Sequence, residues 1–223
     1  HRGQARTRDD RLVSLVASAP GKLVLAGEYV VLEGARAIVT AVDLRVLLRT
    51  APEAPPLPPE VVATRALAEA AYGACEGGLA LDVRALRGET KKLGLGSSAA
   101  AAAATVSLIA RLRGRETSVD ARFDLALRGH ASVAPRGSGI DVAASVYGGT
   151  LFFRIDGETR HVAAATFPSS VHAVVVYTGE EARTSDFVRA IDALGAVERE
   201  RAMAPLRDAA ARCVCAFEDD DAP

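Results

Sequence analysis

The stretch Lys91-Lys92-Leu93-Gly94-Leu95-Gly96-Ser97-Ser98 is followed directly by six alanines, Ala99 to Ala104. Alanine is the strongest helix former, so the sequence predicts a helix that begins where a glycine-rich turn ends. The first turn of a helix presents backbone N–H groups without partners at the positive end of the helix dipole. With two lysines and two hydroxyls beside it, the pattern is typical of a site that binds polyphosphate.

Two common phosphate-binding motifs do not fit this stretch. The P-loop places its lysine after the glycines, whereas here the lysines precede them. A dinucleotide fingerprint needs a third glycine at a fixed spacing and an acidic residue after the next strand, and the sequence has neither. A structural interpretation stays open, in which Ser97 or Ser98 only caps the alanine helix.

The composition limits the class of protein. The chain has 223 residues, of which 49% are apolar and 25% are charged, as in a soluble globular protein of one large domain or two smaller ones. Because the net charge is −1, no overall field attracts nucleic acid or an acidic membrane, and we expect neither as a partner. No apolar run reaches the ~20 residues of a membrane span. The polar first eleven residues do not resemble a signal peptide.

The cysteines indicate a reducing compartment. There are three, Cys75, Cys213 and Cys215, an odd number without the paired spacing of a zinc site. We therefore expect free thiols in a cytoplasmic protein. The sequence leaves open whether it is a monomer or a homodimer.

Hydrophobic patterning predicts a β-rich beginning and a mixed remainder. Pro20-Gly21 is predicted to form a turn, and residues 51–59, with five prolines, a loop. Strands are predicted at 12–16, 23–26, 37–40, 43–49, 79–83, 150–155 and 172–177. Helices are predicted at 59–75, 99–113, 119–128, 140–146, 184–194 and 197–217.

Lys22 belongs to the motif Pro20-Gly21-Lys22-Leu23-Val24-Leu25-Ala26-Gly27-Glu28-Tyr29. A lysine at the start of an apolar run is held near the core of the protein, where its charge can face a ligand. The alternative is a surface lysine that extends its amine into solvent.

Asp141 belongs to the motif Arg136-Gly137-Ser138-Gly139-Ile140-Asp141-Val142-Ala143-Ala144. An aspartate that follows a glycine turn at a helix start usually interacts with the helix N-terminus. The functional alternative is a carboxylate that orients a substrate hydroxyl or takes its proton for attack on phosphorus. A third motif, Tyr177-Thr178-Gly179, is by itself an ordinary connection between a strand and a helix.

Together these motifs resemble the GHMP kinases, the small-molecule kinases of galactose, homoserine, mevalonate and phosphomevalonate. Within that superfamily, Lys92 before the glycine-serine motif, Gly137 to Ala144, and Tyr177-Thr178-Gly179 are most similar to phosphomevalonate kinases. The resemblance spans roughly residues 16–190. It implies an α+β fold of two lobes, with a ribosomal protein S5 domain 2-like lobe at 1–167 and a ferredoxin-like lobe at 168–223.

The resemblance also implies roles for individual residues. Asp141 would be the catalytic base or orienting carboxylate, and Lys22 would activate it, steady the transferred phosphoryl group and contact substrate. Ser98 would help to hold Mg²⁺. The residues expected to bind ATP are Lys91, Gly94, Leu95, Gly96, Ser97, Ser98 and Ala99. Those expected to bind the acceptor are Lys22, Glu28, Tyr29, Lys92, Arg136, Ser138 and Gly139, with Lys92 and Arg136 on the acceptor's own phosphate.

The chain departs from the family pattern at two places. His130 stands where mevalonate kinases carry a glutamate that binds magnesium, and we do not count it as a ligand. The glycine-rich motif near the family's C-terminus is not found, so the second lobe is expected to be incomplete. The resemblance implies an ATP- and Mg²⁺-dependent kinase acting on phosphomevalonate in isoprenoid synthesis. The alternatives are a mevalonate or sugar kinase, favoured if Lys92 and Arg136 face solvent, or a catalytically silent nucleotide-binding homologue.

Overall fold

The structure is a computed structural model that describes residues 15–53, 55–87, 92–179 and 184–219. Its fold is α+β, as predicted: an antiparallel sheet is packed against helices. The strands are β1 (Val16–Ala26), β2 (Ala37–Ala51), β3 (Gly78–Asp82), β4 (Thr150–Asp156) and β5 (Thr159–Ala165). The helices are α1 (Pro59–Tyr72), α2 (Ser97–Leu112), α3 (Val119–Ala131), α4 (Ile140–Tyr147), α5 (Thr184–Asp192) and α6 (Ala196–Asp219). Short 3-10 helices cover Val30–Glu33 and Arg84–Leu86.

The sheet has the order β1-β2-β4-β5, and β3 also pairs with β2. The long β2 replaces the two separate strands predicted at 37–40 and 43–49. One end of it pairs with β4, from Ala37 opposite Phe153 to Thr40 opposite Thr150. The other end pairs with β3. Strand β1 lies along the other side of β2 and forms an edge of the sheet.

The turn predicted at Pro20-Gly21 is wrong, because both residues lie inside β1. The pairing with β2 shifts between Pro20 and Lys22, as at a β-bulge. An edge strand tolerates proline there, since its missing N–H need not complete a ladder. Gly21 is required by close packing, since a Cβ at this position would lie 2.6 Å from the carbonyl oxygen of Leu95.

Helix α2 is the central element of the core. Each residue from Ala99 to Ala104 is at most 3% exposed. One face of the helix, with Ala102, packs in a cluster with α3, α4 and β4, and the opposite face, with Ala103, packs with β1, β2 and β3. A helix buried on two sides needs small side chains for close packing, which accounts for the alanine run.

Strand β5, which forms a hairpin with β4, was not predicted from the sequence. The strand predicted at 172–177 is wrong. No ladder forms in the described segment 166–179, where Val174 is 85% exposed. A strand is stable only when its backbone groups pair with a neighbour, and no described strand lies beside this segment. The described part after residue 184 consists of α5 and α6, and Met203 of α6 packs on Val30. The boundary at 167/168 stays a prediction.

No helix among the described residues has both the length and the apolar character needed to cross a membrane.

Candidate active site

The glycine-serine motif forms a turn that ends at the start of α2. Gly94 and Gly96 both have φ +75°, and Gly96 is the N-cap residue of the helix. No side chain caps this end, so the structural interpretation of Ser97 or Ser98 as the cap is wrong. Both serines lie inside the first turn instead. The backbone N–H groups of Ser97, Ser98 and Ala99 therefore have no partner within the helix and point out of its N-terminus.

This turn is attached to β1 beside Lys22. The backbone N–H of Lys22 donates to the carbonyl oxygen of Leu95 at 2.8 Å. The half-buried Lys22 side chain lies against Gly96, since a Cβ placed on Gly96 would be 2.9 Å from Lys22 Cγ and 3.3 Å from Cε. The structure thus brings the lysine of one sequence motif to the helix N-terminus of another, 74 residues later in the chain.

Helices α2 and α4 both run antiparallel to β1. At the far end of α2, Arg111 Nη1 donates to the carbonyl oxygen of Val16 at 2.9 Å. The C-terminal residues of α4, Ser145 to Gly148, share a cavity with Ser18 to Pro20 of β1. Just before α4, the carbonyl oxygen of Ser138 accepts from Arg160 Nε at 3.4 Å, and Arg160 pairs with Ile155 at the end of β4. That end of β4 lies beside the start of β2, which pairs with the C-terminal end of β1. Both helix N-termini therefore lie at the same end of β1.

Asp141 lies in the first turn of α4. The N-cap residue is Gly139, with φ +87°, which has no side chain to cap the helix. Asp141 Oδ1 accepts the backbone N–H of Val142 at 2.9 Å, and its carboxylate makes no ion pair with a described residue. Ser138 Oγ accepts the N–H of Ile140 at 3.3 Å. A half-buried carboxylate is thus held at the N-terminus of α4 with its second oxygen available.

Glu28 and Tyr29 form a strained turn immediately after β1. Tyr29 has φ 64° and ψ −49°, and the N–H of Val30 donates to the carbonyl oxygen of Glu28 at 2.8 Å. This is a three-residue γ-turn of the rare positive-φ form. Such strain in a residue other than glycine is often found at functional sites.

The Tyr29 ring contacts an element that sequence reasoning did not connect with the site. Its centroid lies 5.9 Å from that of Phe187 in α5. Burial raises the pKa of the Tyr29 hydroxyl, and the nearby Glu28 raises it further. An aromatic pair between positions 158 residues apart leaves no local signal in the sequence.

The two basic residues assigned to the acceptor's phosphate face solvent. Arg136 is 73% exposed at its side chain and pairs with Asp192 of α5 at 3.1 Å. Asp192 also lies 3.7 Å from Arg199. Lys92 is exposed and forms an isolated backbone bridge with Arg87. Lys91 lies outside the described residues.

The described residues offer few protein ligands for a metal. They contain no group of three His, Cys, Asp or Glu side chains that could hold one. His130 is 7% exposed near the end of α3. Magnesium retains several waters and binds nucleotides through phosphates plus one or two protein oxygens. The Ser98 hydroxyl at the N-terminus of α2 fits that sparse donor set.

The chain is similar in sequence and in fold to proteins of known function. Residues 60–149 match the family described as GHMP kinases N terminal domain. The chain is 29% identical over 210 residues to a mevalonate kinase of Aeropyrum pernix, a match that covers 80% of this chain and 63% of that protein. Residues 60–149 of this chain thus carry a GHMP kinase N-terminal domain.

Two further matches, one in sequence and one in fold, are phosphomevalonate kinases. One, from Streptomyces sp. strain CL190, is 31% identical over 185 residues, covering 63% of this chain and 50% of that protein. The solved structure of Streptococcus pneumoniae phosphomevalonate kinase in complex with phosphomevalonate and AMPPNP has the same fold, with a TM-score of 0.74 and 18% identity over 93% of this chain and 75% of that one. The chain spans between half and just under two thirds of the length of the two relatives compared by sequence.

Proposed function

We propose that this protein is a kinase that transfers the γ-phosphoryl group of ATP to a hydroxyl of a small acid of the mevalonate pathway. The observation that carries the proposal is the convergence of two helix N-termini, each with a glycine as its N-cap residue, at one end of β1, with Lys22 against the first and Asp141 in the second. A phosphoryl-transfer site requires mainly positioning and neutralisation of charge, and these groups supply both.

The N-terminus of α2 is the proposed subsite for the ATP phosphates. Its unpaired N–H groups and dipole favour an anion. Gly94 and Gly96 leave the backbone accessible, because neither carries a side chain that would cover it. The amine of Lys22, held beside Gly96, would contribute a positive charge next to the same phosphates. Ser98 would contribute one oxygen to the magnesium ion that accompanies ATP, and the ion would offset negative charge on the phosphates.

Asp141 is the proposed group that orients the acceptor hydroxyl or accepts its proton. One carboxylate oxygen is engaged by the N–H of Val142, so the other can face the acceptor. The strained turn at Glu28 and Tyr29 lies after the same end of β1 and is the proposed wall of the acceptor pocket. Ser138 and Gly139 would complete that wall on the α4 side.

For the acceptor we propose phosphomevalonate, because the motifs at Lys92, Gly137 to Ala144 and Tyr177-Thr178-Gly179 resemble those of phosphomevalonate kinases. Mevalonate is the second candidate. The basic residues Lys92 and Arg136 each precede one of the two helix N-termini and could reach a second phosphate. The observation that favours mevalonate is that both residues face solvent and that Arg136 is already paired with Asp192. An acceptor without a phosphate would leave that ion pair intact.

The proposal is tested by ADP release in the presence of Mg-ATP with phosphomevalonate, mevalonate or galactose as the acceptor. We expect the largest kcat/KM with phosphomevalonate. A larger value with mevalonate would show that mevalonate is the acceptor, and the proposed kinase activity would stand. Binding of ATP without turnover on any acceptor would instead support a catalytically silent homologue.

A further inference from the structure

A polar cavity lies beside the first half of β1. It has a volume of about 240 Å³, is partly open to solvent, and is lined by residues of β1, β2, α2, α3 and α4 together with Gly148. Its polar lining consists of Ser18, Arg45, Ser107, Arg122, Ser145 and Tyr147. Ser107 is ten residues after Ser97, which places the cavity about 15 Å along α2 from the candidate active site.

Two polar atoms of this lining are buried without a partner. They are Arg122 Nε and Ser145 Oγ, which make no hydrogen bond with any described residue. Ser145 is only 4% exposed. An unsatisfied buried donor costs about 1–3 kcal/mol, so such atoms are normally paired with protein, water or a ligand. Both atoms belong to residues that line the same cavity, which indicates that one occupant pairs with them.

The charges of the lining favour an anion. Arg45 is held in place by Ser18, because Arg45 Nε donates to Ser18 Oγ at 3.0 Å and Nη2 donates to the Ser18 carbonyl oxygen at 3.2 Å. Its other N–H groups remain for a ligand. Neither Arg45 nor Arg122 forms an ion pair within the described part of the chain.

Asp120, an acidic residue of α3, is hydrogen-bonded to the lining residue Tyr147. The Tyr147 hydroxyl donates to Asp120 Oδ1 at 2.6 Å. Burial raises the pKa of Tyr147, and the hydrogen bond to Asp120 raises it further, so the phenol stays neutral. The lining thus combines two guanidinium groups with several hydroxyls, and these are groups that bind phosphate or carboxylate oxygens in proteins.

We propose that this cavity binds a small oxyanion, either inorganic phosphate or the phosphate group of a small metabolite, between Arg45 and Arg122. Arg122 Nε and Ser145 Oγ would donate to its oxygens. The cavity exceeds the size of one phosphate ion, so it also has room for a short organic group attached to the phosphate. The site is separate from the proposed kinase chemistry and does not depend on it.

The first experiment follows the Nε–H resonance of Arg122 by NMR in the whole protein during titration with sodium phosphate. Sodium chloride at equal ionic strength is the reference, and glycerol 3-phosphate and acetate are run as separate titrations. We expect a saturable shift with phosphate that chloride does not produce. A tighter response to glycerol 3-phosphate would identify a phosphate ester, and a response to acetate alone would overturn the phosphate assignment.

The second experiment compares variants by the rise in unfolding midpoint that phosphate produces. Ser145→Ala removes one donor with little change in volume, and Arg122→Gln removes the charge. Arg128→Gln is the matched control, because Arg128 lies on the same helix with an exposed side chain that pairs with Asp124. We expect the rise to fall by half or more in the first two variants and to be kept in the control. An undiminished rise in Ser145→Ala, together with no saturable Arg122 shift, would show that the cavity holds water only and would overturn the proposal.

Discussion

The Lys22 side chain lies against Gly96, the residue that begins α2, and no larger residue at position 96 would leave it there. A Cβ on Gly96 would come within 2.9 Å of Lys22 Cγ. The backbone joins the same two segments, because Lys22 N–H donates to the Leu95 carbonyl oxygen at 2.8 Å. The packing of Lys22 on this turn therefore positions its positive charge beside the N-terminus of α2.

Gly96→Ala is predicted to impair both folding and phosphoryl transfer. Its φ of +75° costs an alanine about 1–2 kcal/mol, and the new Cβ would also displace Lys22. We expect turnover to fall at least tenfold. Gly114→Ala is the matched control, since Gly114 lies just past the other end of α2 with φ +59° and open space around it. The two variants are compared by chemical denaturation and by ADP release. Equal loss of stability and equal turnover would contradict the contact's importance.

Asp141→Asn is predicted to abolish turnover and to spare the fold. The amide oxygen of asparagine can still accept the Val142 N–H, but the side chain can no longer take a proton or attract one strongly. We expect kcat to fall by roughly 10²–10⁴-fold, with the affinity for ATP changed only a few-fold. Asp124→Asn, an exposed carboxylate on α3, should leave both unchanged. Normal turnover in Asp141→Asn would show that this residue takes no part in catalysis.

Arg136→Gln is predicted to raise KM for phosphomevalonate and to leave KM for mevalonate unchanged. The reason is that only the first acceptor carries a phosphate for the guanidinium to bind. Asp192→Asn should lower KM for phosphomevalonate, because it removes the carboxylate that pairs with Arg136 and leaves the guanidinium free for the acceptor. Equal effects of Arg136→Gln on both acceptors would show that the residue does not distinguish them.

Arg84→Gln is predicted to change the titration of Asp82. Hydrogen bonds from the Arg84 side chain and backbone N–H hold the pKa of the Asp82 carboxyl at about 2, below its ordinary value of 3.8. A depressed folded-state pKa stabilises the protein above about pH 4, and this stabilisation is lost as the pH falls towards 2. The effect on unfolding is small because the pair is largely solvated. The carboxyl resonance of Asp82 should titrate closer to 3.8 in the variant, and an unchanged titration would contradict the assignment.

The elements that depend on local sequence were predictable. The alanine run predicted α2 because alanine both favours helix and permits close packing on two sides. Glycines 96 and 139 predicted two helix starts. These signals lie within a few residues of the structure they produce.

Features that depend on distant contacts were not predictable. The dipeptide Pro20-Gly21 is typical of a turn, but both residues lie inside β1. Gly21 packs there against the carbonyl oxygen of Leu95, a residue distant in the sequence. Residues 172–177 have the valines of a strand but no described strand beside them. Arg136 and Asp192 form an ion pair although they are 56 residues apart, so no local pattern in the sequence predicts it.

The most direct test of the account is to observe the transferred group by ³¹P NMR when the protein is mixed with Mg-ATP and phosphomevalonate or mevalonate. We predict that the γ-phosphate signal of ATP is lost as ADP and a newly phosphorylated acceptor appear together, and that Asp141→Asn shows neither. An ATP spectrum that stays unchanged with both acceptors, in a protein shown to bind ATP, would contradict the claim that Lys22, the α2 N-terminus and Asp141 form one kinase site.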